Sequence, residues 1–417
     1  MRSRILLGLS VVALVLPGVP AVVRPAPPMA QLAWVVDASS RLPISEAEQR
    51  EHLSAEFLSA IGGPAEFNET MAGFGALAPP RVLSSTPTSV EAVSGAWLVS
   101  LVVDANGLVG RLRFSPYAPS PSSWSELDGR LRALAPSVSF ATFDVSAGCE
   151  PIHSVDGDVP RPLGSAFKLY VLGALARAVA DGRASWDQEL AIRDEWKSLP
   201  TGVLQEEPAG TRLPLREYAN LMISISDNTA TDHLIHFLGR RDVSRQLSLS
   251  GNRADGNVPF LTTRELFALK GFHYPALARP YLSLPPSLRH AVLPAANSVP
   301  RDRIEPWTTA RDVEEIEWFG APSDMCRAFA GLQSRHGAAV DHALSISDGG
   351  IGLGGDFPAV WYQGGAEPGV LTLNYLAHKA DGRTLVSSVM LTDPDGTLTP
   401  STQTEAFALA RGGLELS

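Results

Sequence analysis

The chain has 417 residues and a formal charge of −10 at neutral pH, with 45% apolar and 19% charged residues. That length gives material for a large core and more than one domain, and the apolar share is ordinary for a globular protein. Net acidity without a basic stripe excludes nucleic acid or an anionic membrane surface as the main partner.

The N-terminus, Met1-Arg2-Ser3-Arg4 followed by the apolar run Ile5 to Leu16 and then small residues, reads as a secretory signal over residues 1–30. Cleavage is expected after Ala21 or Ala30, which predicts an extracytoplasmic, cell-envelope location with no stable membrane insertion afterwards. An uncleaved N-terminal anchor is the alternative.

Residues 31–120 read as a separate α+β module. Ser45-Glu46-Ala47-Glu48 is a capping box that predicts one helix carrying Leu53, Phe57, Leu58 and Ile61, closed by Gly62-Gly63. Strands are expected over Arg81–Thr86, over Val90–Val103 with a bend at Gly95, and over Leu108–Phe114, with Asn106-Gly107 as the hairpin turn between the last two. The proline-rich stretch Ser115–Ser123 reads as the linker into a second domain over residues 121–417.

The second domain is predicted to open with a helix to Ala135 and strands around Phe140–Val145 and Pro151–Val155. Next comes Ser165-Ala166-Phe167-Lys168, at the start of a helix whose apolar stripe of Leu169, Leu172, Ala176, Val179 and Ala180 runs to Gly182. A serine hydroxyl needs a neighbouring base to become a nucleophile, and a lysine three positions on, on the same helix face, serves if burial keeps it partly unprotonated. The bland reading is an N-cap serine and a solvated lysine. Against it, a first-turn lysine opposes the helix dipole, and lysine is scarce here: Lys168, Lys197, Lys270 and Lys379 are the four among 34 basic residues.

Two helices are predicted over Leu215–Ser224 and Asn228–Leu238, with Ser226-Asp227 at the break between them. Such a corner can aim a hydroxyl and an amide into a cleft, although Ser-Asp-Asn is also ordinary capping chemistry. Further on, Val360-Trp361-Tyr362-Gln363-Gly364-Gly365-Ala366-Glu367-Pro368-Gly369 predicts a strand running into a glycine turn, followed by the apolar run Val370-Leu371-Thr372-Leu373. The cluster Gly349–Gly355 lacks a phosphate-binding Lys-Ser/Thr and reads as a loop. Cys149 and Cys326 are the only cysteines; export permits a disulfide, and two buried free thiols fit equally. His233 and His236 lie one helical turn apart without acidic or third-ligand partners, so no metal or other cofactor is expected.

The pair Ser165-x-x-Lys168 and Ser226-Asp227-Asn228 resembles the signature of class A β-lactamases and penicillin-binding DD-peptidases, over roughly residues 125–417. The resemblance implies an α/β (α+β) serine β-lactamase/transpeptidase-like fold, here preceded by a small helix-plus-antiparallel-sheet domain. That small domain is similar to the accessory domain of the β-lactamase-like protein of the clavulanic acid gene cluster. For the site it implies Ser165 as nucleophile, Lys168 as base, Ser226 as proton relay and Asn228 as a contact to the substrate amide. Gln363-Gly364-Gly365 takes the place of the family's Lys-Thr-Gly triplet, and the N–H groups of Ser165 and Ala366 form the oxyanion hole.

Two departures qualify this. Gln363 replaces the lysine with which the family holds a substrate carboxylate, leaving a hydrogen-bond donor without charge; Arg383 is one residue that could restore it. No Glu occurs between Thr229 and Thr263, where the family carries the carboxylate that activates the hydrolytic water. Asp242, Asp255 and Glu265 are the candidates left. The expected substrates are small-molecule β-lactams, peptides (including cell-wall peptide) or esters. The alternatives are a DD-peptidase or esterase with little β-lactam turnover, and a non-catalytic ligand-binding homologue. The proline- and aromatic-rich segment Gly271–Gly320 reads as an insertion near the cleft, with no role assigned.

Overall fold

The computed structural model describes residues 27–417 apart from Ala147 and His336. The expected signal segment therefore lies, except for its last four residues, outside the described residues. The described residues form two compact units: one of residues 27–77, 85–90 and 101–112, the other of residues 78–84, 91–100 and 113–417.

In the first unit, helix Glu46–His52 starts where the capping box predicts, with Ser45 accepting from Glu48 N. The single helix expected there is instead two. Leu53 is extended and Ser54 accepts from Phe57 N, which caps a new helix, Ala55–Ala60. A serine in mid-sequence offers its oxygen to the N–H groups of the following turn, so the chain restarts rather than continues. Strands Arg81–Ser85, Ser89–Ser94, Trp97–Val103 and Val109–Pro116, whose residues are divided between the two units, form a four-stranded sheet in sequence order. The expected bend at Gly95, whose φ is +60°, is a full turn between two strands.

The second unit is built on a five-stranded antiparallel sheet in the order 359–367, 370–378, 384–392, 137–144, 150–155. Strands Val370–His378 and Thr384–Thr392 are almost wholly buried, as expected of central strands covered on both faces. On one face lie helices Trp124–Arg132 and Pro400–Glu415, around a core of Leu127, Leu131, Phe140, Tyr375, Val389 and Leu409. On the other, helix Lys168–Ala180 is buried along nearly its whole length within a helical layer that includes Leu215–Ser224, Asn228–Leu238 and Pro322–Gln333. The two helices flanking Ser226 have the bounds read from the sequence. Cys149 and Cys326 are joined by a disulfide that ties the turn before strand Glu150–Val155 to helix Pro322–Gln333. Segment 271–320 contributes short helical turns, including helices Ala278–Ser283 and Leu293–Asn297, and the two-residue strand Phe319–Gly320 paired with Arg161–Pro162.

Candidate active site

Ser165 sits in a single 3-10 turn, Gly164–Phe167, leading directly into helix Lys168–Ala180. The turn is held from below: Leu163 O accepts from Thr372 Oγ1 at 2.8 Å, and Leu163 N donates to Trp318 O at 2.8 Å. Edge strand Ala359–Glu367 passes so close that only glycine fits at two positions. A Cβ on Gly164, which has φ +49°, would lie 2.9 Å from Ala366 N, and one on Gly365 would lie 2.1 Å from Leu163 O and 2.4 Å from Ser165 N. The backbones carrying the Ser165 and Ala366 N–H groups therefore lie against each other, and a helix's first N–H groups have no intrahelical partner to occupy them.

Lys168 is fully buried, and its ammonium donates to Ser226 O (2.7 Å), Ser226 Oγ (2.9 Å) and Asn228 Oδ1 (2.8 Å). These bonds use the three donors of a charged lysine, and none goes to Ser165. Burial disfavours the charged form and brings Lys168 down to about 7, against the opposing pull of Asp227 and Asp232. Ser226 takes the left-handed conformation, φ +57°, at the break between its two helices. For a residue with a Cβ this costs on the order of 1–2 kcal/mol, and it turns both the hydroxyl and the carbonyl of one residue toward Lys168.

Asp227 fixes that corner. Its carboxylate accepts from Ala230 N, Val203 N and Leu204 N, which caps helix Asn228–Leu238 and pins the loop across from it. Asn228 Nδ2 donates to Leu199 O at 3.2 Å, and Thr201 Oγ1 donates to Ser226 O at 2.6 Å. Asp232, raised to about 7 by burial, accepts from Thr263 N and Arg264 N and so anchors the start of helix Thr263–Gly271.

Gln363 is buried, and its Nε2 donates to Ser165 O (3.2 Å) and Gly364 O (2.9 Å) while Oε1 lacks a partner. Ser226, Asn228 and residues 363–366 thus line the cavities at Ser165, with Lys168 bonded behind them to Ser226 and Asn228. The other candidates do not. Asp242 accepts from Arg183, Asp255 begins a one-turn 3-10 segment, and buried Glu265 pairs with Arg240 and caps its own helix. None lines a cavity at Ser165. Arg383 is bonded to Asp381 and Ser417 O. His233 has both ring nitrogens engaged by backbone, at Arg193 N and Thr229 O.

Two cavities open on Ser165. One, of about 360 Å³, is shared with Asn228 and walled by Phe167, Phe267, Trp307 and Trp318. The other, of about 340 Å³, is shared with Ser226, Tyr362 and Gln363. Sequence reasoning missed a buried triad in the first wall: Lys270 donates to Glu367, and Glu317 lies against Glu367 while accepting from Trp318 N. Burial, reinforced by the Glu367 charge, pushes Glu317 well above the usual carboxylate range beside the Lys270–Glu367 ion pair. The scarcity of lysine pointed to Lys270 as much as to Lys168; nothing local marked Glu317.

Residues 126–313 match the Beta-lactamase enzyme family. No curated protein matches significantly. Among solved structures, a β-lactamase from Sphaerobacter thermophilus is similar with a TM-score of 0.51 and 20% identity, over 70% of this chain and 97% of its own. PBP-A gives 0.48 and 17%, over 71% and 96% respectively, and a β-lactamase from Chitinophaga pinensis gives 0.48 and 17%, over 69% and 96%. Residues 126–313 thus resemble the Beta-lactamase enzyme family, and the chain shares the serine β-lactamase-like fold of the Sphaerobacter protein.

Proposed function

We propose that the protein is an exported hydrolase that forms an acyl-enzyme on Ser165 and acts on β-lactam, amide or ester substrates. The observation that carries this is the buried Lys168, drawn to about 7 and bonded to Ser226 and Asn228 one turn from the serine. In its neutral form the amine has a lone pair, and Ser226 Oγ at 2.9 Å is the hydroxyl placed to share a proton with it.

In acylation, Ser165 Oγ attacks the carbonyl carbon, and its proton passes to Lys168 by way of the Ser226 hydroxyl. The carbonyl π electrons move to oxygen, and the N–H groups of Ser165 and Ala366 receive the resulting anion. Collapse breaks the bond to the leaving group, which takes a proton back from Ser226, and Asn228 orients the acyl amide. In deacylation water replaces the leaving group and the acid is released. The test is the time course of 4-nitrophenyl phenylacetate cleavage: a burst approaching one equivalent per chain, absent in Ser165→Ala, supports the reading. Turnover undiminished in Ser165→Ala overturns it.

A DD-peptidase or esterase with little β-lactam turnover is the second reading. It is favoured by the lack of a lining carboxylate from the loop after Ser226 and by the uncharged Gln363. It predicts that a penicillin acylates and then stays bound.

A further inference from the structure

We propose that this site selects uncharged acyl donors, namely esters or amides with a bulky apolar acyl group and a leaving group that carries no carboxylate. The proposal rests on the acyl-transfer reading above and names its substrate class.

The direction of the substrate follows from which residue lines which cavity. Ser226, which must protonate the leaving group, lines the second cavity and not the first, so the leaving group departs there. Asn228 lines the first and not the second, so the acyl group lies there.

The leaving-group cavity has no Lys, Arg or His among its lining residues. Its polar groups are neutral: hydroxyls, the amides of Gln363 and Gln403, and the Tyr362 phenol, which burial pushes up to about 12. Gln363 already spends Nε2 on two carbonyl oxygens. Lys168, the cation behind this wall, is fully buried, and its donors are taken by Ser226 and Asn228. A carboxylate brought in here loses its water and gains no charged partner.

The acyl cavity gives the same answer by another route. Its ionisable lining groups are Glu317 and Glu367, and the Lys270 charge beneath them is fully buried and given to Glu367. An anionic acyl substituent would meet two acidic side chains and no free cation, while the aromatic walls of Phe167, Phe267, Trp307 and Trp318 favour an apolar group.

The test uses the whole folded protein and two esters, 4-nitrophenyl phenylacetate and 3-carboxy-4-nitrophenyl phenylacetate. Nitrophenol release, first turnover included, is normalised to each ester's rate with hydroxide. The expected result is a preference of about tenfold or more in kcat/KM for the neutral ester. Replacing phenylacetyl by acetyl should lower kcat/KM about tenfold. Gln363→Lys should move the ratio between the two phenylacetates about tenfold toward the carboxylate ester. If that variant does not fold, the wild-type ratio alone decides. Equal rates or a carboxylate preference overturns the proposal, as does an acetyl ester cleaved as well as the phenylacetyl one. If no ester is cleaved and a neutral fluorophosphonate adds no mass at Ser165, the acyl-transfer reading fails and the proposal with it; a labelled Ser165 with a carboxylate preference refutes the substrate class alone.

Discussion

Lys168 Nζ is held by both the carbonyl and the hydroxyl of Ser226, at 2.7 and 2.9 Å, so one left-handed residue at a helix break sets the position of the amine and supplies its proton partner. Because burial brings Lys168 to about 7, the active neutral form is lost as pH falls through that value. First-turnover acylation by a neutral ester should rise about tenfold per pH unit below 7 and level off above it. Lys168→Ala, checked for folding by circular dichroism, should reduce acylation by roughly 10²–10⁴. A rate that is flat from pH 5 to 8, or undiminished in a folded Lys168→Ala variant, assigns the base elsewhere.

Ser226 combines a chemical role with a strained backbone, and two substitutions separate them. Ser226→Ala and Ser226→Gly both remove the hydroxyl and should slow acylation to a similar extent. Glycine tolerates φ +57° without a Cβ clash, so Ser226→Gly should be the more stable of the two by about 1 kcal/mol in denaturant melts. Equal acylation by both variants and wild type would remove the hydroxyl from the proton path.

Much of this region was legible before any coordinates. Helices Leu215–Ser224 and Asn228–Leu238 follow from a strong apolar stripe and from Asp227, whose side chain does cap the second helix. The helix after Ser165 was legible from its apolar stripe, but it begins at Lys168, and the 3-10 turn that carries Ser165 has no side-chain cap to mark it. The break at Ser54 was not, because a serine inside an apolar pattern reads equally as a surface position until its oxygen finds the next turn's N–H. Segment 271–320 was opaque because its short turns have no periodicity to read, yet it supplies Trp307, Glu317 and Trp318 to the cavity wall. The carboxylates Asp242 and Glu265, each in the first turn of a helix, were plausible by position alone; their arginine partners come from distant sequence.

The triad of Lys270, Glu367 and Glu317 should show in stability. Lys270→Met leaves Glu367 buried without its cation, which costs about 3–5 kcal/mol. Glu317→Gln, which keeps the shape and a hydrogen-bond donor of a carboxyl whose ionisation burial disfavours, should cost about 1 kcal/mol or less. The folded chain binds the Glu317 proton more tightly than the unfolded chain, whose value is near 4.5. That contribution to stability is complete below 4.5 and is lost as pH rises toward the raised folded value. Glu317→Gln should therefore flatten the fall in stability on the alkaline side of 4.5. An unchanged pH profile in urea melts would show that Glu317 is ionised in the folded chain.

Gly365→Ala tests the contact between the edge strand and the serine turn. Its Cβ would press on Leu163 O and Ser165 N, forcing the two backbones apart. The expected outcome is a stability loss of about 1–3 kcal/mol together with slower acylation, because the oxyanion donors move with the backbone. Wild-type acylation in a folded Gly365→Ala variant would show that this approach does not form the oxyanion site.

The most direct measurement is the intact mass of the protein after exposure to a fluorophosphonate and, separately, to a fluorescent penicillin, with the modified peptide then sequenced. One fluorophosphonate adduct per chain on Ser165, absent in Ser165→Ala, is the predicted result, with any penicillin adduct on the same residue and slow to leave. Well-folded wild-type protein that gains no mass from either probe, or gains it on a residue other than Ser165, would contradict the assignment of Ser165 as the nucleophile.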